Sequence, residues 1–315
     1  MPRWTAALAE AGISNPALRH AYDAQREAVR KFALQQYLAA RLLLPARLHP
    51  SVVAVVAFMH ETDERIDAGD PVARQEVLSS WDRTVRAALD TGPRREAPEA
   101  ALLQALADTV RRHPHLTRHV YDFLDGAPVE ADWTGFDTEA DFQSYIDSYS
   151  LPALMLTASL IAPPPEADVE ESFRQGCRAL IEAWQRADFL SDLAEDAAQG
   201  RVGIARDELA AHGLNFEDLR DKSQACMPAL ERLVAAQAEL AEAALSRCRG
   251  LPGLVEAPYR PFVRALISVQ DLQLQAVRRK GGSLVNGGVR PPAAATLRLL
   301  GRQYLAARSQ LRRSR

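Results

Sequence analysis

Asp63-Glu64-Arg65-Ile66-Asp67 and Asp188-Phe189-Leu190-Ser191-Asp192-Leu193-Ala194-Glu195-Asp196 are the two stretches whose reading decides the fold. Both lie in runs with helical composition. Asp63 and Asp67 are spaced i, i+4; Asp188, Asp192 and Asp196 are spaced i, i+4, i+8. On a helix that spacing stacks the carboxylates on one face. Like charges so placed destabilise a bare helix, and a bound cation is the natural offset. Mg²⁺ takes oxygen ligands and commonly joins one or two carboxylates to substrate phosphates. Two such faces in one helical protein point to a metal–diphosphate site.

Around these clusters Ala, Leu, Arg and Glu dominate and β-branched alternation is scarce, so the expected class is all-α. The 315 residues, 47% of them hydrophobic, can bury a large core and are expected to form one domain over 1–315. A net charge of −3 gives no bulk attraction to nucleic acid. Three cysteines, Cys177, Cys226 and Cys248, without paired spacing indicate a reducing, cytoplasmic setting. The opening Met1-Pro2-Arg3-Trp4-Thr5 lacks a signal-peptide apolar region, and no run is long enough for a transmembrane helix.

Proline and glycine punctuation predicts helices over 17–43, 51–68, 72–91, 98–113, 115–124, 138–161 (kinked at Pro152), 168–199, 207–212, 215–249, 258–280 and 292–313. Gly69-Asp70-Pro71 ends the second, residues 125–135 read as a loop, and Pro163-Pro164-Pro165 precede the long acidic helix.

With these pieces in order, the chain resembles the squalene/phytoene synthase family. Leu43-Leu44-Pro45-Ala46-Arg47-Leu48-His49-Pro50, followed by Ala57-Phe58 and Asp63–Asp67, is similar to that family's "LLPxRxRP…YAF…DDxxD" opening. Ala183-Trp184-Gln185 through Asp188, Asp192 and Asp196, then Gly200-Arg201, Asp207, Leu209 and Gly213, is similar to its "AxQxxNxxRDxxED…GRxYxPxDxLxxxG" segment. The likeness spans roughly 35–215 in ordered pieces.

The resemblance implies an isoprenoid-synthase-type helical bundle around a central cavity, with the acidic faces across it. It implies Mg²⁺ held by Asp63, Glu64, Asp67, Asp188, Asp192 and Asp196, where Glu64 replaces an Asp and Asp188 an Asn. Asp63, Asp67 and Asp192 become candidate catalytic residues. Arg47, Arg65, Tyr145, Trp184, Gln185, Ser191 and Arg201 become candidate substrate-binding residues.

Departures from the pattern bear on the acceptor. Ser191 stands for the family's Arg, Gly203 and Ala205 for its Tyr and Pro, and only Tyr145 matches the central "YxxxxAGxxG" helix. Features expected around a second prenyl diphosphate are thus eroded, and Asp147, if it faces the cavity, would repel one further. A branch of the family prenylates an aromatic acceptor, carbazole, and this pattern fits that branch. The implied reaction moves a short, dimethylallyl-type group from an allylic diphosphate to an aromatic ring, with Asp147 or the released diphosphate as base. Head-to-head condensation of two prenyl diphosphates is the alternative, and a non-catalytic assembly subunit a further one.

Plainer readings stand beside several of these. One acidic cluster alone reads as a solvated helix face with Arg65 as partner. His60 reads as a packed or partly exposed helix residue, the His115/His119 pair as a solvated helix end, and Cys177 as an inert core thiol. Tyr145 and Trp184 read equally as core or pocket wall. The C-terminal Arg308, Arg312, Arg313 and Arg315 beside Leu299, Leu300 and Leu305 read as a solvated tail, or as a peripheral contact to an anionic membrane.

Overall fold

The computed structural model describes residues 3–67, 70–94, 96–164, 167–222 and 224–313. Its helices are, in chain order, α1 (Trp4–Glu10), α2 (Pro16–Phe32), α3 (Leu34–Leu43), α4 (His49–Asp67), α5 (Pro71–Thr91), α6 (Ala100–Arg112), α7 (Leu116–Ala131), α8 (Glu139–Tyr145), α9 (Leu151–Ala158), α10 (Ala167–Ala198), α11 (Arg206–Ala211), α12 (Phe216–Asp221), α13 (Met227–Arg247), α14 (Leu251–Leu254), α15 (Arg260–Lys280) and α16 (Ala293–Arg313). No strand occurs among the described residues. Ala68, Gly69, Pro165 and Arg315, named above, lie outside them.

Local chemistry explains most helix starts. Asn15 accepts hydrogen bonds from the amides of Ala17 and Leu18, with Pro16 at the first helical position. Thr138 and Asp141 form a capping box at α8, and Asn215 and Asp218 another at α12. The structure divides three expected helices. Residues 17–43 break at Ala33, where ψ is 46°. Residues 215–249 break at Lys222, which takes a left-handed φ of 53°. Residues 138–161 run as α8, a π-turn over Ile146–Ser150 and α9. Pro152 has no N–H to offer the carbonyl of Ser148, four residues back, and the helix widens by one residue in the turn before it.

The loop expected over 125–135 is incorrect. Helix α7 continues through Gly126 and Pro128 to Ala131. Gly126 is required: a Cβ there would lie 2.1 Å from the Ser148 carbonyl oxygen freed by the π-turn. Gly126→Val is therefore expected to destabilise the protein by about 2–4 kcal/mol through overpacking against rigid backbone. Urea denaturation checks this, and an unchanged midpoint would contradict it.

Separate apolar clusters form the interior. Tyr22, Phe58 and Phe123, each fully buried, centre the one built by α1, α2 and α4–α7. A second joins α3, α9, α10, α13 and α15, and a third lies between α10, α13 and the segment after α15. Val52, Tyr149 and Ile181 each pack against more than one cluster, so they lie where the cores meet. The back of α10 is tied down by charge. Buried Glu182 accepts hydrogen bonds from Gln143 (3.2 Å), Arg178 (3.4 Å), Arg186 and Arg247 (2.6 Å). Removing one partner from such a network strands buried charge, so these contacts hold α10 in one rotation about its axis.

Candidate functional site

Two otherwise buried helices carry a half-exposed stripe. On α4 it comprises Val52, Val56, Met59, His60 and Asp63; on α10 it comprises Ile181, Trp184, Gln185 and Asp188. The π-turn and α9 touch α10, and α9 also touches α4. Both stripe-bearing helices thus pack on α9, with apolar and aromatic residues along each stripe and an acid, Asp63 or Asp188, at its end.

The acidic end is built from three helices. Asp63 accepts a hydrogen bond from the Tyr149 hydroxyl at 3.0 Å. Burial pushes its carboxyl up to about 6, with Asp67 adding repulsion and Tyr149 opposing the rise. On α10, burial and the neighbouring Asp192 push Asp188 up to about 7, although the Trp184 side chain donates a hydrogen bond to it. Burial also raises Asp192, and takes Asp196 to about 6 against the pull of Arg201.

Glu130, on the extension of α7, connects the two faces. It accepts a hydrogen bond from the Tyr145 hydroxyl, and its carboxyl is raised by burial and by Asp63 and Asp67, while Arg201 opposes the rise. Arg201 lies 3.8 Å from Asp196 and over the Trp133 ring. One continuous set thus runs from Asp67 and Asp63 through Tyr149, Tyr145, Glu130 and Arg201 to Asp196. Glu130 was hidden in the sequence by the misread loop.

Several expected site residues are placed elsewhere. Arg65 turns back to Glu61 and stacks over Trp81 at 3.9 Å, so it does not serve the cleft. Arg47 donates to the Tyr259 hydroxyl at 2.8 Å. Ser191 is buried, donates to the Ala187 carbonyl at 2.8 Å and accepts from Gln273, so it packs against α15 instead of facing substrate. Asp147 does not face the cleft: it is half exposed and held by Arg178 at 2.7 and 2.9 Å. That removes it as a base. Glu64 is exposed beside His60, 3.8 Å away, and His60 stacks on Phe32. Gln185 lies 3.5 Å from the Ser150 hydroxyl.

The plainer readings of His60 and the thiol agree with the structure, whereas the solvated helix end expected for His115 and His119 holds only for His115, because His119 is buried against the core. His115 meets the Ser159 carbonyl at 3.0 Å, and burial pushes His119 down to about 4. Burial pushes the Cys177 thiol up to about 12.

Among the described residues, no three His, Cys, Asp or Glu groups converge tightly enough to hold an ion by protein atoms alone. Mg²⁺ does not require that. It keeps several waters and takes one or two carboxylates plus phosphate oxygens. The Asp63 and Asp188/Asp192/Asp196 carboxylates, raised first by burial and then by their same-helix neighbours, fit that mode of binding.

A family model described as squalene/phytoene synthase matches residues 7–298. The chain belongs to the squalene/phytoene synthase family. Within it, the chain is 33% identical over 264 residues to a bifunctional protein CrtB/UppS of Streptomyces coelicolor, covering 81% of this chain and 43% of that protein. It is 29% identical over 208 residues to phytoene synthase 1, chloroplastic, of Arabidopsis thaliana, covering 64% and 47%. The chain spans about half the length of these curated relatives. A crystal structure of a dehydrosqualene synthase in complex with ligand has the same fold, with a TM-score of 0.76 and 21% identity over 93% of this chain and 98% of that one. Squalene synthase HpnC from Alicyclobacillus acidocaldarius gives 0.72 and 19% over 89% and 100%. The family's helical bundle is thus confirmed as the fold. No helix of the described residues is long and apolar enough to cross a membrane.

Proposed function

We propose that this protein is a Mg²⁺-dependent prenyltransferase that ionises an allylic prenyl diphosphate in the α4/α10 cleft. The observation that carries the reading is the pair of carboxylate faces, Asp63/Asp67 and Asp188/Asp192/Asp196, linked by Glu130 around one apolar cleft. Bound there, Mg²⁺ would neutralise the diphosphate as the allylic C–O bond breaks. The chain's own residues do the rest. Tyr149 holds Asp63 in place through its hydroxyl. The aromatic faces of Tyr149 and Trp184 suit an allylic cation. Val52, Val56, Met59 and Ile181 keep water from quenching it.

For the acceptor, the distribution of positive charge favours a neutral aromatic ring. Arg47 and Arg65 are engaged away from the acids, and Arg201 is matched to Asp196 and Glu130. Each diphosphate brings several negative charges, and a second one would find little to offset it. A carbazole-like ring needs no such compensation. The second reading, head-to-head condensation of two prenyl diphosphates, is favoured by the relatives named phytoene synthase.

Incubation with dimethylallyl, geranyl, farnesyl and geranylgeranyl diphosphates and Mg²⁺, with and without carbazole, separates them. A prenylated carbazole, with no hydrocarbon when carbazole is omitted, is the expected result. A C30 or C40 hydrocarbon from one substrate would establish the second reading. No diphosphate release from any substrate would reject both.

A further inference from the structure

Arg201 is matched to Asp196 and Glu130, and among the described residues a further cation near the α10 acids comes from a loop. Residues 287–292, Gly-Gly-Val-Arg-Pro-Pro, join the end of the turn after α15 to α16. Three contacts pin this loop to the site. Gln273 donates from one Nε2 to the Val289 carbonyl at 3.1 Å and to the Ser191 hydroxyl. Lys280 donates to the Gly288 carbonyl at 2.8 Å. Gly288 lies so close to α10 that a Cβ there would sit 2.6 Å from the Ser191 carbonyl oxygen. The backbone on both sides of residue 289 is therefore fixed one residue away from Asp192.

Arg290 follows immediately. It is exposed and forms no ion pair among the described residues. Asp192, which follows Ser191 on α10, and Glu195 one turn on are exposed as well. An arginine held by a rigid loop, with its donors unspent beside a carboxylate face, has the planar fork that matches a phosphate group.

We propose that Arg290, delivered by the pinned 287–292 loop to the mouth of the cleft at Asp192, grips the diphosphate of the prenyl donor. The inference rests on the prenyl-diphosphate reading above. It also gives buried Ser191 a role: with Gln273 it seats the loop that supplies the positive charge.

Calorimetric titration with inorganic pyrophosphate in the presence of MgCl₂ tests this. Arg290→Ala is expected to weaken binding about 10- to 100-fold, the range for losing a charge-assisted hydrogen-bonded contact. Arg290→Lys should restore part of the loss, because the charge returns without the fork. Arg298→Ala, on the exposed side of α16, serves as control and should leave affinity unchanged. The Ala variant should also raise KM for the prenyl diphosphate more than it lowers kcat. If wild type binds magnesium pyrophosphate and Arg290→Ala binds it within about twofold, Arg290 has no such role and the prenyltransferase reading stands. If wild type binds none, both fall together.

Discussion

Asp192→Asn is expected to lower the rate of allylic diphosphate release by about two to three orders of magnitude while leaving the helical fold intact. The magnitude follows from removing one preorganised electrostatic partner of the leaving group in a water-poor site. Asp192 is exposed at the mouth of the cleft and makes no core contact, so the fold does not depend on it. Asp63→Asn should behave similarly, with one difference. Asp63 is half-buried and accepts the Tyr149 hydroxyl, and an asparagine can still accept that bond through its amide oxygen. Pre-steady-state release of diphosphate, read beside far-ultraviolet circular dichroism, checks both variants. Near-normal release from either would count strongly against the acidic faces as the ionising site.

Asp188→Asn is expected to separate stability from catalysis. Burial and Asp192 raise this carboxyl from 3.8 to about 7, so the fold favours its neutral form. Because the folded value exceeds the unfolded one, the stabilising contribution is complete below about pH 4 and is lost as pH rises through about 7. By pH 8 the ionised group weighs against folding by an amount on the order of 4 kcal/mol, at 1.36 kcal/mol per pH unit. Asparagine mimics the neutral acid and carries no such penalty. Wild type and variant should therefore unfold at similar urea concentrations only at about pH 3.5, and the variant should be more stable at pH 8, both in EDTA. Adding Mg²⁺ with pyrophosphate at pH 8 should narrow the gap, since it binds the charged form of the wild type. Turnover should fall much less than in Asp192→Asn, because the amide keeps an oxygen toward the metal and is the residue the family pattern carries there. A variant less stable than wild type at pH 8 would remove burial of charge as the explanation.

The acidic spacing revealed the fold and the two metal-facing helices because i, i+4 carboxylates repel in any isolated helix, so their recurrence is a signal local to the chain. Capping residues and prolines likewise gave most helix limits. Other features depended on tertiary contacts. Asp125-Gly126-Ala127-Pro128 has loop composition, yet the close approach of Ser148 requires a glycine at 126, and the helix continues to present Glu130. The arginines were the least legible. A guanidinium reaches far enough to choose among partners on several helices, and Arg65 and Arg47 chose Glu61 with Trp81 and Tyr259. The residue before Asp192 looked like a lost cation. Its small side chain instead admits the loop that carries Arg290.

The π-turn over Ile146–Ser150 has an evolutionary meaning. One surplus residue in a helix advances everything after it by about 100° around the axis. Tyr145 is oriented before that step, and α9 after it. A single-residue deletion within the turn would leave the hydroxyl of Tyr145 where it is and rotate Ala153, packed against the first apolar cluster, to a new azimuth. Lineages of this fold thus have a route to re-aiming α9 by an indel, one that also re-seats Tyr149 against Asp63.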